Sequence, residues 1–457
     1  MASLARSRSR SLSPDEHAHD HAPAKKRVKL AHRALPYHTG LHLAPMVRIG
    51  TLPVRLLALE YGAQLVWGPE IVDKAIIGAQ RSVNPDTGVV SFLKNGRSIF
   101  ECHPLEKPRL IFQLGSASPD LAVQALRVIE NDVAGVGLNC GCPKAFSLQG
   151  GMGAALLKDP ERLCSILTAL VGATSLPIDA KIRLLPLPSP SAALTADSST
   201  PTPSGRASPA SAAAPTPSSI LEPSLPPTIA VPTTSTPGED QDDDAADEPT
   251  LPLVARILDT GIANLTVHCR TQTMRSSERA LHARMRALTA LGRARGVPVV
   301  CNGDADGWGN FAQVCEATGV GSAMVARAAE ANVSCFRREG LLDPIDEVIP
   351  RLLRIAIATG NHYSNTKYIL NAISLFASPT PPSRERNRAV KLAMNQARSY
   401  DDMAAAFGLG PDDVAAAREA GASPGGLARM LPAWVARRDE IVAAAGEAEA
   451  ADGRSEP

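Results

Sequence analysis

Eight short apolar runs recur along this chain, and stretches with helical spacing fill most of the gaps between them. The runs are LHLAPM (41–46), AQLVWG (63–68), RLIFQLG (109–115), GVGLNC (135–140), PIDAKIRL (177–184), ANLTVHC (263–269), VPVVCNG (297–303) and SAMVARA (322–328). Between them lie segments such as PDLAVQALRVIEND and RALTALGRARG. Strand-length runs alternating with helix-length patterns mark βα units and a parallel sheet. Eight of them imply a closed (β/α)8 barrel, a TIM barrel of the α/β class. Residues 39–330, less one long interruption, match the ~250 residues typical of that fold.

The interruption spans residues 186–250. It holds 14 prolines in 65 residues and no aromatic residue. Such a segment buries too little apolar surface to offset its ordering entropy, so a disordered acidic insert is expected on the face that follows strand five. It carries nine acidic residues and one basic residue, Arg206. The whole chain has a net charge of +1, so the remainder stands at +9, which suits a polyanionic partner. Residues 1–38 read as a disordered tail with Arg-Ser and His-rich tracts. Its Lys25–Lys29 cluster reads as a nuclear import signal or a nucleic-acid contact, which places the protein in the cytoplasm, the nucleus or both. Residues 331–440 read as a small all-α domain and 441–457 as a frayed tail. Eight scattered cysteines suit a reducing compartment, and Cys140 and Cys142 lack the second pair a zinc site needs, so no metal is expected. No apolar run reaches the ~20 residues of a membrane span.

In a barrel of this kind, chemistry sits where the strands end at the C-terminal face. Reading those ends in order gives Pro45, Met46 and Val47; Glu70; Gln113; Asn139 with Cys142; Lys181 with Arg183; His268 with Arg270; Asn302, Gly303 and Asp304; and Ala326 with Arg327. Each alone has a plainer reading. Cys142 suits a buried structural thiol, Lys181 an ion pair, and His268 a hydrogen-bonded core histidine. Polar groups at nearly every strand end are harder to explain by packing.

The words LAPMVRIGTLPVRLLALEYGA, FQLGS, NCGCPKAFSLQGGMGAALL, DAKIRLL, TVHCRTQTMR, VVCNGDA and MVARAA resemble the tRNA dihydrouridine synthases, over residues 41 to about 408. NHYSNTKY (361–368) resembles the helical-domain motif of the eukaryotic class acting on uridine 20 of the D-loop. The resemblance implies FMN as cofactor, NADPH or NADH as reductant and tRNA as substrate. It implies FMN contacts at Pro45, Met46, Val47, Gln113, Lys181, His268, Asn302, Gly303, Asp304, Ala326 and Arg327. It makes Cys142 the proton donor. A cysteine thiol is mostly protonated at neutral pH, which suits an acid. An amide and a cation, Gln113 and Lys181, suit the flavin edge where charge develops, and loops after strands seven and eight suit a phosphate. Glu70, Asn139, Lys144, Arg183 and Arg270 are the expected substrate contacts.

Two departures matter. The proline-rich insert is foreign to the family pattern. The double-stranded-RNA-binding domain of animal members does not follow the helical domain, so RNA grip is expected from elsewhere. Arg384, Arg386, Arg388, Lys391 and Arg398 are candidates, with a solvated helix face as the alternative. A monomer is expected, with no membrane partner. Two rivals stay open: an FMN barrel acting on a free small molecule, and a tRNA-binding protein without catalysis on the same scaffold.

Overall fold

The computed structural model describes residues 35–188 and 248–452. The tail with Lys25–Lys29 and most of the proline-rich insert lie outside the described residues. Twelve strands are described. They are β1 (Gly40–Leu43), β2 (Leu65–Trp67), β3 (Ile71–Val72), β4 (Gln80–Val83), β5 (Val90–Lys94), β6 (Arg97–Cys102), β7 (Leu110–Gly115), β8 (Gly135–Cys140), β9 (Ile178–Arg183), β10 (Asn264–His268), β11 (Val299–Asn302) and β12 (Ser322–Val325).

Eight of these, β1, β2 and β7 to β12, pair in parallel in ring order, and β2–β7 contacts close the ring. Each of the eight apolar runs forms one of them. GVGLNC coincides with β8 to the residue, and the others differ by one to three residues at an end. Two of the α-helices between the ring strands have side-chain caps. Ser118 caps Pro119–Ile129 through the backbone N–H of Leu121, and Asp159 caps Pro160–Ala173 through that of Arg162.

One barrel unit departs from the βα rhythm. Between β2 and β7 the chain makes one α-helical turn, Asp73–Ile76, then an antiparallel sheet of β4, β5 and β6, then a 3-10 turn, Lys107–Arg109. Asn95 and Gly96, both with positive φ, form the two-residue turn between β5 and β6. That is the conformation a tight hairpin requires and that Asn-Gly supplies at little cost. Arg81 of this sheet pairs with Asp132 at 2.7 Å.

The insert is tied at its base. The Leu185 N–H donates to the Thr250 hydroxyl at 3.1 Å, and Arg284 donates both to the Leu185 carbonyl at 2.8 Å and to Glu248 at 2.6 Å. Glu248 and Thr250 are buried, so the folded chain resumes before residue 250. The N-terminal side is similar. Leu35 and Tyr37 pack with Trp67 and Met324, so the folded region begins before residue 39.

After the barrel the chain is helical. Ile349–Ala358 is the central helix and is buried on most sides. Arg351 pairs it with Glu60 of the barrel helix Leu52–Glu60 at 2.5 Å. The last helix, Pro432–Asp452, runs past residue 441, where a frayed tail was expected. It returns to the barrel, where Trp434 is fully buried and its indole N–H donates to the Leu105 carbonyl at 3.0 Å. Among the described residues no helix is long and apolar enough to cross a membrane.

Candidate active site

Alternation along β9 decides what the mouth of the barrel contains. Asp179 and Lys181 are two residues apart on one strand and therefore share its inner face. Asp179 forms a polar floor. It accepts from Trp67 Nε1 at 3.0 Å, from Asn264 Nδ2 at 2.6 Å and from Thr266 Oγ1 at 3.4 Å. Burial pushes its carboxyl up to about 6 against those hydrogen bonds.

Lys181 stands above this floor. Burial pulls its ammonium down to about 8, Arg183 adds to the effect, and Asp179 opposes it. Among the described residues neither the Lys181 ammonium nor the buried Gln113 carboxamide has a hydrogen-bond or ion-pair partner. A half-buried cation and a buried amide left unpaired are costly unless a ligand satisfies them. They fit the polar edge of a planar cofactor such as the expected FMN.

Cys142 follows β8 on a loop held from several sides. The Asn139 side-chain oxygen accepts from the N–H of Gly141 at 3.0 Å and of Cys142 at 3.1 Å. Ala154 N–H donates to the Cys142 carbonyl at 2.9 Å. Gly153, at φ 59°, passes so close that a Cβ there would lie 2.6 Å from that carbonyl oxygen. The Cys142 thiol is half-buried and within electrostatic reach of Lys181 and Arg183. Cys140 is fully buried, and burial pushes its thiol well up. Glu70 lies beside Asn139 and Lys144. Burial raises its carboxyl while both neighbours lower it, and its Oε1 is buried without a hydrogen-bond partner. Lys144 itself is exposed.

Arg183 and Arg270, expected at the substrate, also tie loops together. Arg183 donates to the Gly141 carbonyl and to the Thr271 carbonyl, both at 2.9 Å. Arg270, 2% exposed, donates to the Glu278 carbonyl at 2.7 Å and to Asp304 at 2.5 Å, and contacts His268 Nε2 at 3.3 Å. Asp304 also receives the exposed Arg327 and the Ala280 N–H. The expected phosphate loop is thus held by an arginine–aspartate–arginine chain. Gly303 and Asp304 have successive positive φ values, 121° and 54°, and Asn302 Nδ2 donates to the Met324 carbonyl at 2.8 Å. Arg327 starts a short helix after Ala326.

His268 sits among these cations. Burial first, then Lys181, Arg183, Arg270 and Arg327, lower it to about 2, so it is neutral at physiological pH. Behind this loop Cys269 and Cys301 touch at 3.5 Å, and one ring nitrogen of His282 lies within 4.8 Å of both sulfurs.

Pro45, Met46 and Val47 form a turn after β1, closed by Gly50 N–H to the Met46 carbonyl at 2.8 Å. The helical domain grips the next residue. Asn365 Nδ2 donates to the Arg48 carbonyl at 2.8 Å, and the Arg48 guanidinium lies 3.7 Å from the Tyr368 ring centroid. Sequence reading passed over Arg48, whose positive φ, 67°, depends on this tertiary hold. It also passed over Asp179, although Asp-x-Lys on a strand places both groups on one face.

The pattern of the dihydrouridine synthase (Dus) family matches residues 42–186 and 240–381. A Schizosaccharomyces pombe protein named tRNA-dihydrouridine(20) synthase is 41% identical over 382 residues, covering 82% of this chain and 66% of its own length. A Saccharomyces cerevisiae protein of the same name is 34% identical over 359 residues, covering 74% of this chain and 77% of its own. An S. pombe tRNA-dihydrouridine(20a/20b) synthase is 32% identical over 127 residues, 28% of this chain and 34% of its own. All three names carry NAD(P)+. With a closed barrel, a cysteine loop after its fourth strand and these matches, the chain belongs to the dihydrouridine synthase family.

Proposed function

We propose that this protein is a flavin-dependent tRNA-dihydrouridine(20) synthase. It reduces the C5–C6 bond of a D-loop uridine at the expense of NADPH or NADH. The observation that carries the reading is Cys142 on the loop after β8, within electrostatic influence of the unpaired Lys181, in a chain 41% identical to a synthase of that name.

FMN, when bound, would supply hydride chemistry at C6 of the uracil ring. The residues of this chain do the rest. Gln113 and Lys181 would hold the polar edge of the flavin ring, with Pro45, Met46 and Val47 beside it. Neutral His268 hydrogen-bonds without adding charge. The Gly303–Asp304 turn, Ala326 and Arg327 would hold the FMN phosphate. Cys142 gives its proton to C5 from the side opposite the hydride. Asn139 and Glu70 would meet the edge of the uracil. The target base sits inside a folded tRNA and must leave its stack to reach this depth.

Mapping dihydrouridine in tRNA from cells lacking the protein tests the reading. Loss at position 20 alone is expected, and an unchanged map overturns it. Activity on free uridine without activity on tRNA would favour the small-molecule rival.

A further inference from the structure

The catalytic loop carries a feature that proton donation does not use. Immediately after Cys142, residues Pro143, Lys144, Ala145 and Phe146 are all exposed. Phe146 shows 51% of its surface to solvent, four residues from the thiol. Its backbone is well held, because the Gly150 N–H donates to the Phe146 carbonyl at 3.0 Å and the Ser147 N–H to that of Lys144 at 3.0 Å. The loop beneath is fixed by Asn139, Arg183 and Gly153. An aromatic ring on a rigid base, next to an exposed lysine at the rim of a site, suits an aromatic and anionic partner better than an apolar one.

Other apolar side chains are exposed on loops that follow barrel strands. Val47 after β1 is 56% exposed and Leu187 after β9 is 61% exposed. Parallel strands of a closed barrel end on one rim, so the loops that carry these residues and Phe146 leave the barrel on the same side.

We propose that Phe146 is a stacking platform for a base flanking the target uridine, with Lys144 on the adjoining phosphate. The inference rests on tRNA being the substrate. Its physical reason is the cost of base exposure. Pulling the uridine out of its stack leaves a neighbouring base with one bare face. A phenyl ring at the rim covers that face, and stacking of this kind tolerates any base because every base has a π face.

The test uses the full chain with an unmodified tRNA transcript. Phe146→Ala should raise KM for tRNA about tenfold, the usual size of a lost base–aromatic stack. Phe146→Leu should lose nearly as much, and Phe146→Tyr should recover it. Flavin content and NADPH-driven flavin reduction without tRNA should stay within about twofold. A transcript with an abasic nucleotide in place of the stacked neighbour should cost the wild type the same factor and Phe146→Ala nothing further, as expected of two groups that make one contact.

An unchanged KM in Phe146→Ala overturns the proposal. So does a leucine variant as good as tyrosine, which would mean simple apolar contact, or flavin loss, which would mean a structural ring. Additive losses with both flanking abasic transcripts also overturn it. A wild type inert on tRNA overturns the functional reading itself and is seen before any variant is made.

Discussion

The side-chain oxygen of Asn139 accepts the backbone N–H of Cys142 at 3.1 Å while also accepting that of Gly141 at 3.0 Å. One carboxamide at the end of β8 therefore sets the direction in which the thiol leaves the barrel. Asn139→Ala strips two backbone donors of their acceptor, each worth about 1 kcal/mol net. Turnover on tRNA should fall by about tenfold or more with flavin content unchanged. Cys142→Ala should keep flavin and its reduction by NADPH but lose dihydrouridine formation. Cys140→Ala should lose little activity, because its buried thiol faces away from chemistry. Mass spectrometry of the tRNA and stopped-flow flavin absorbance read the two halves separately, and normal turnover by Cys142→Ala would refute the donor role.

Lys181 predicts a pH dependence. Burial lowers its pKa from 10.5 to about 8, so the group is charged below that value and neutral above it. Flavin binding by the apoprotein should weaken as pH rises through about 8, while Lys181→Met should bind weakly at every pH with no such step. The stability of the apoprotein should move the other way. Between about 8 and 10.5 the unfolded chain binds more protons than the folded one, so stability rises with pH across that window. The methionine variant should lack that rise in chemical-denaturation curves.

Deleting residues 190–246 and joining the ends through a short Gly-Ser linker should leave thermal stability and flavin content unchanged. The base of the insert is already closed by the Leu185–Thr250 hydrogen bond and by Arg284. Arg284→Ala removes the partner of the buried Glu248 and should cost about 3–5 kcal/mol in denaturant titration. Stability lost on deletion but kept in Arg284→Ala would reverse this account.

On the helix Arg384–Gln396, Arg384 and Arg388 point into solvent, whereas Arg386 pairs with Asp346 and Lys391 is half-buried. Replacing Arg384 and Arg388 together with Gln should weaken binding to all tRNAs alike. The slope of log affinity against log salt should flatten by about 0.9 for each lost phosphate contact. An unchanged slope in fluorescence anisotropy would move the grip to Lys144 and the barrel rim.

Trp434→Ala should destabilise the protein by about 3–5 kcal/mol, the usual cost of emptying a large buried aromatic site. Its ring is fully buried, with Arg437 5.1 Å from the centroid, and it seats the last helix on the barrel. Thermal unfolding checks this, and a fall in melting temperature too small to resolve would show that the helix is held elsewhere.

The sequence by itself determined the ring of strands. A strand buried on both faces reads as a continuous apolar run, and β8 shows the case at its clearest. It also placed Cys142, because Pro143 ends pairing and glycines mark the turn beneath the thiol. The hairpin at Asn95-Gly96 went unread although Asn-Gly is a turn signal, because the exposed strand Gln80–Val83 has no apolar pattern to announce the sheet. Only tertiary structure decided the charges of the site. Arg270 and Arg327 both converge on Asp304 across 34 and 23 residues of chain. Nothing local distinguishes such a tie from a substrate contact. Lys181 owes its lowered pKa to burial and to Arg183 and Asp179, and Arg48 owes its left-handed turn to Asn365 and Tyr368 some 317 residues away. Apolar periodicity is a local property of the chain. Desolvation and ion pairing depend on distances that exist only once the barrel has closed.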